Sequence, residues 1–183
     1  TAYEALVLAI LGQQISTHVA RMLRNLITET YGESLEVDGE LYRAFPSPQS
    51  LADAGVEALR SIKFSQRKAE YISDISKQVV SGELDLEYFR NQPADDVVKS
   101  LTKIRGIGPW TAHWLLIRSL GYPDGFPHGD LAMERMMGML VDPGADSPKP
   151  MSSKEASDYS ERWSPFRSYV TTYIFGAGRS GRF

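Results

Sequence analysis

The sequence reads as that of an all-α protein. Apolar residues recur at helical spacing along nearly the whole chain, and the strict alternation of a half-buried strand is almost absent. Serine, proline and glycine also punctuate the apolar runs where helices start and stop. With 183 residues, 42% of them hydrophobic, the chain can bury a real core and fits one domain, or one domain of two lobes.

The first helix is expected over about 3–11. A second follows Ser16 and runs through Val19, Leu23, Leu26 and Ile27 to about Tyr31, before Gly32. Short helices are expected at about 40–44, 50–54 and 56–61, the middle one announced by Ser47-Pro48. Ser65 can cap a longer helix to about Val80, with Ala69, Ile72, Ile75 and Val79 as its apolar stripe and Gly82 as its end. Pro93 and Pro109 each open a helix, and Gly129 precedes one from about Asp130 to Leu140. Ser152 and Glu155 have capping-box spacing for a helix to about Trp163, and Pro165 opens the last, to about Phe175. Residues 142–151, rich in proline, read as a loop, and the tail 176–183 as a flexible end.

Composition bounds the function. The absence of cysteine excludes disulfides and any Cys-ligated iron–sulfur cluster. No run of about 18 apolar residues occurs, and no basic start precedes a cleavable apolar segment, so the expectation is an intracellular protein without a membrane span. The start at Thr1 suggests a trimmed chain. A net charge of −3 argues against a protein that coats nucleic acid through a broad basic surface, though not against a small footprint. Lys99, Lys103 and Arg105 precede a glycine hairpin, while Lys63, Arg67 and Lys68 read as a solvated helix face.

That hairpin is Gly106-Ile107-Gly108. Two glycines allow positive φ and close approach of a ligand to the backbone, and Ile107 can plug the turn into the core. Pro109 suits a first helical position, and the N–H groups of the following turn can meet a phosphate oxygen. Beyond that helix, Phe126-Pro127-His128-Gly129-Asp130 leads to a single acid at the start of another.

These two segments resemble the helix-hairpin-helix/Gly-Pro-Asp DNA glycosylases, in particular the 3-methyladenine DNA glycosylase II branch. Ala9-Ile10-Leu11-Gly12-Gln13-Gln14-Ile15-Ser16 resembles the branch's DNA-wedge loop, and Pro165-Phe166-Arg167-Ser168-Tyr169 its penultimate-helix signature. The resemblance spans nearly the whole chain. It implies a central helical lobe over about 33–118, a second lobe from the first and last helices, a base pocket between them, and the compact form without an N-terminal β-rich domain.

Breaking an N-glycosidic bond builds positive charge on the deoxyribose, so a carboxylate near the sugar, or a water it activates, is required. Asp130 is the candidate, its charge stabilised by a helix N-terminus, although an Asp in that place also serves as a cap. Asp124 is the competing acid, in a Pro-Asp-Gly turn that explains it without chemistry. Trp110, Trp114 and Arg118 share one helix face. With Phe175, the two tryptophans are candidate walls for an extruded base. Arg118 either holds the Asp-bearing loop or meets the DNA backbone. Bifunctional relatives carry a nucleophilic lysine where Trp110 stands, so hydrolysis by water without strand cleavage is expected.

By resemblance, Gln14 fills the hole left by the flipped base, with Ile15 as the alternative plug and Ser16 at the minor groove. The amides of Gly106, Gly108 and Thr111 bind phosphate. The carbonyls of Thr102, Ile104 and Gly106 are candidate ligands for a structural Na+ or K+, with no cofactor required. The histidines lack metal-ligand spacing. The implied partner of this monomer is duplex DNA containing alkylated purines such as 3-methyladenine or 7-methylguanine. Excision of another damaged base on the same scaffold, or DNA binding without turnover, are the alternatives.

Overall fold

A computed structural model describes residues 1–145 and 147–181. The chain folds as two compact units: Thr1–Asn91 with Ile104–Gly106, and Gln92–Lys103 with the chain from Ile107 onward. Within the first unit, the first helix packs on the second and fourth.

In the first unit, α1 (Ala2–Gly12) is apolar on nearly all sides and buries Ala2, Tyr3, Leu6, Val7, Ile10 and Leu11. A helix hydrophobic all round belongs in the interior. Its Tyr3 hydroxyl meets the Ser76 hydroxyl at 2.6 Å, and burial pushes the phenol pKa up to about 12. Amphipathic α2 (Thr17–Tyr31) is capped by Ser16 and buries only Leu23 and Ile27. Ser47 caps α3 (Pro48–Ser61), which is broken at Gly55; its halves match the two short helices expected at 50–54 and 56–61. Ser65 caps α4 (Gln66–Ser81), whose buried stripe includes Ala69, Ile72 and Ile75, and α3 packs along it.

The helix expected at 40–44 is instead a strand. β1 (Ser34–Val37) pairs antiparallel with β2 (Glu40–Arg43), Leu35 opposite Tyr42 and Val37 opposite Glu40. Asp38 and Gly39 take φ of 52° and 79°, the doubly left-handed turn that an Asp-Gly pair favours.

In the second unit, α5 (Ala94–Leu101) sets Asp95 and Asp96 in its first turn, complementing the helix dipole, and turns Val97 and Leu101 inward. It packs on α6 (Pro109–Leu115), which continues as a π-turn over Leu116–Leu120. Helices α7 (Leu131–Val141), α8 (Ser153–Ser160) and α9 (Arg167–Arg179) follow, α8 opening on the expected Ser152–Glu155 capping box. Their core is Phe126, Met133, Met137, Ala156 and Ile174.

The last helix is displaced from the expected 165–175. Asp124 accepts from the Arg167 amide at 3.1 Å and so marks the start, and the helix passes Gly176 and Gly178 to reach Arg179. A Cβ at Gly178 would stand 2.4 Å from Met136 Sδ, so the small residue permits close packing of α9 on α7. The tail expected to be flexible is thus helical to Arg179, and its Arg182 and Phe183 lie outside the described residues, as does Asp146 of the 142–151 loop. Among the described residues, no helix is long and apolar enough to cross a membrane.

Candidate active site

Asp130 is the focus of the second unit. Gly129, at φ 75°, turns the chain so that Asp130 becomes the N-cap of α7. Its Oδ1 accepts from the Ala132 and Met133 amides at 3.0 and 2.9 Å. Its Oδ2 accepts from the indole Nε1–H of Trp110 at 2.9 Å and of Trp114 at 3.3 Å. The cap reading and the site reading therefore describe different oxygens of one carboxylate. All four partners are neutral N–H donors, so the carboxylate, 9% exposed, is fixed without being neutralised.

The aromatic candidates meet at the same place. The Trp110 and Trp114 rings lie edge to face at 6.1 Å, and Phe175 from α9 lies 5.2 Å from Trp114. Trp114 is buried, and the Arg118 guanidinium covers its ring at 4.8 Å. Arg118 thus meets the cluster through an indole face. Trp110 and Phe175 are partly exposed and offer the accessible aromatic surface. The spacing of Trp110 and Trp114 signals a shared face, but not that both indole donors converge on Asp130; obligate N–H donors one turn apart are the only sequence clue.

Asp124 is occupied differently. Arg167 grips it with a fork, Nε to Oδ1 at 2.8 Å and a terminal nitrogen to Oδ2 at 2.7 Å, and Ser164 adds a bond at 3.0 Å. The Arg167 hydrogen bonds hold its carboxyl below the usual Asp range. This acid is a structural tie, and its charge is cancelled. Between Trp110 and Trp114 on the chain, His113 packs its ring 5.0 Å from His128, which lies against Phe126 at 5.3 Å. His113 Nδ1 is buried without a hydrogen bond, and burial first, then His128 and Arg167, lower its pKa to about 4. Among the described residues, no three His, Cys, Asp or Glu side chains gather as metal ligands.

The hairpin glycines have separate tasks. Gly106 takes φ 92°, and a Cβ there would stand 2.4 Å from the Tyr71 ring. Gly108 is extended, at φ −94° and ψ 175°; the positive φ that a glycine allows is used at Gly106. A Cβ at Gly108 meets nothing within 4 Å, and no side chain caps α6, which Pro109 opens. Ile107 is buried and Thr111 is buried. The Gly106 carbonyl accepts from Gln13 Nε2 at 2.9 Å. Arg105 does not stand free beside the hairpin: it pairs with Glu70 at 2.5 Å and Asp74 at 3.5 Å and lies over Tyr71.

Gln14, in the first unit, is an exposed non-glycine residue at φ 57°. Ile15 beside it is half-buried, and Ser16 accepts from the Val19 amide at 3.3 Å. The α1 end of this loop is held by Lys68, whose ammonium donates to the Leu11 carbonyl at 2.6 Å; burial lowers its pKa. Lys68 is therefore a tie rather than part of a solvated face.

The chain belongs to the HhH-GPD superfamily of base excision DNA repair proteins, matching that family over residues 7–162. It is 35% identical to a DNA-3-methyladenine glycosylase of Bacillus subtilis over 94% of this chain and 56% of the relative. It is 32% identical to DNA-3-methyladenine glycosylase 2 of Escherichia coli over 95% of this chain and 57% of the relative. The chain thus spans a little over half the length of these curated relatives. Among solved structures, the 3-methyladenine DNA glycosylase of Archaeoglobus fulgidus superposes with a TM-score of 0.85 at 32% identity, covering 98% of this chain and 58% of that one. The Schizosaccharomyces pombe 3-methyladenine DNA glycosylase in complex with abasic DNA gives 0.80 at 27% identity, covering 97% and 81%.

Proposed function

We propose that this chain is a monofunctional DNA glycosylase that extrudes an alkylated purine from duplex DNA and hydrolyses its N-glycosidic bond. The observation that carries the reading is Asp130, a carboxylate fixed by four neutral N–H donors beside Trp110 and Phe175. A negative charge held without a counter-ion stabilises the positive charge that develops on the sugar as the bond to the base lengthens. The C1′–N bond breaks with its electron pair leaving on the base. A purine alkylated at N3 or N7 carries positive charge in the nucleoside and departs neutral, so strong acid catalysis of its departure is unnecessary. Water then bonds C1′ and loses a proton to solvent, leaving an abasic site.

Trp110, Trp114 and Phe175 form the base-holding cluster. Gln14 enters the duplex where the base has left, with Ile15 and Ser16 at the minor groove. The amides of Gly106, Gly108 and Thr111 hold a backbone phosphate. The carbonyls of Thr102, Ile104 and Gly106 are the oxygen donors an alkali cation takes, and the Gln13 bond leaves Gly106 a second lone pair. Base release needs no step through that ion. The protein acts inside the cell as a monomer on DNA.

Incubation with randomly methylated DNA, followed by chromatography of the freed bases, tests the reading. Release of 3-methyladenine or 7-methylguanine supports it, and absence of any free base sinks it. Borohydride added during turnover should trap no protein–DNA adduct, since Trp110 offers no amine; a Lys103-dependent adduct would contradict the monofunctional assignment.

A further inference from the structure

An N-cap aspartate held through one oxygen leaves the other free, and the final torsion of an Asp side chain is broad. Asp130 is held through both. The first turn of α7 fixes Oδ1, while the indoles of Trp110 and Trp114, from α6, fix Oδ2 at 2.9 and 3.3 Å. Indole N–H is a donor with no acceptor capacity, so its direction is set once the ring is packed. Trp114 is packed by Arg118 and Phe175, and Trp110 by Trp114. We infer that Trp110 and Trp114 are positioning residues: their paired indole N–H groups clamp Asp130 Oδ2 and hold the carboxylate plane in the orientation used for base release. The inference rests on the glycosylase reading and assigns these tryptophans a task separate from walling the base. The four acceptor positions of the carboxylate are filled, so Asp130 serves as a fixed anion and does not take the proton of the attacking water.

The test separates ring from N–H. Replacing Trp110 or Trp114 singly by benzothienylalanine keeps the bicyclic shape and substitutes sulfur for the N–H. The single-turnover rate of base release should fall about tenfold or more at each position, with affinity for an abasic-analogue duplex within about threefold. An unchanged rate overturns the inference and leaves a stacking wall only. In the free protein labelled with 15N at its three tryptophans, Asp130→Asn should shift two indole N–H resonances and leave that of Trp163 in place. If Trp110 and Trp114 do not respond, the clamp itself is refuted, whatever the activity. If the wild type releases no alkylated base while those resonances do respond, the glycosylase reading fails and the catalytic role of the clamp falls with it.

Discussion

Asp124 and Asp130 lie on one loop, and their partners decide which can stabilise developing positive charge. Arg167 cancels the first with a guanidinium fork, whereas amides and indoles orient the second and leave its charge uncompensated. The sequence places Asp124 in a turn and Asp130 at a helix start, and beyond the one-turn spacing of Trp110 and Trp114 it gives no sign of their partners; Arg167 and the indole donors arrive through tertiary packing. His113 has no metal-ligand spacing to mark it, yet it has a consequence for stability. Its folded pKa, about 4, lies below the ordinary 6.5, chiefly through burial, with His128 and Arg167 also opposing its charge and Asp95 favouring it. Below pH 6.5 the unfolded chain takes up a proton that the folded site excludes. The contribution is present above 6.5, is lost as pH falls toward about 4, and levels off beyond. Thermal melts should show about 2 kcal/mol less stability at pH 5 than at pH 7.5 from this group. His113→Asn should flatten that window; an equal pH dependence in the variant would remove His113 as its cause.

At the scale of elements, the hairpin makes a paired prediction. Gly106→Ala places a Cβ against Tyr71 at positive φ and should cost about 2 kcal/mol or more, lowering Tm by about 5 °C. Gly108→Leu enters open space at an ordinary φ and should leave Tm within about 1 °C while weakening duplex binding roughly tenfold. Melts and binding curves on the two variants check this, and equal loss of Tm would show that the glycines share one structural role. Helices such as α2 and α4 are legible in the sequence because Ser16 and Ser65 cap them and Gly32 and Gly82 follow them. The β1–β2 hairpin is not, because every position of both strands is exposed and leaves no alternating burial to read. The Asp38-Gly39 pair, after the short polar–apolar alternation of Ser34-Leu35-Glu36-Val37, is its sequence signal. The start of α9 is hidden because its cap comes from distant Asp124 rather than from an adjacent residue.

For the whole molecule, a net charge of −3 and the engagement of several basic side chains on and near the hairpin bear on the electrostatics of binding. Arg105 is paired with α4 acids, Lys68 is bound to a carbonyl, and Lys99 lies 3.6 Å from Asp96. On the proposal that backbone amides are the main phosphate ligands, few counterions should be released. Titrations across salt should give a log-affinity slope no steeper than about −4, and one near −8 would reveal a broad basic footprint. On the proposed mechanism, the uncompensated charge of Asp130 drives base release. Asparagine caps a helix about as well as aspartate, so Asp130→Asn removes the charge with little cost to α7. The decisive measurement is the single-turnover rate of 3-methyladenine or 7-methylguanine release by the wild type and this variant, with abasic-analogue affinity measured alongside. The rate should fall at least about a hundredfold with affinity kept within a few-fold; near-normal release by Asp130→Asn would remove the charge of Asp130 as the driving element.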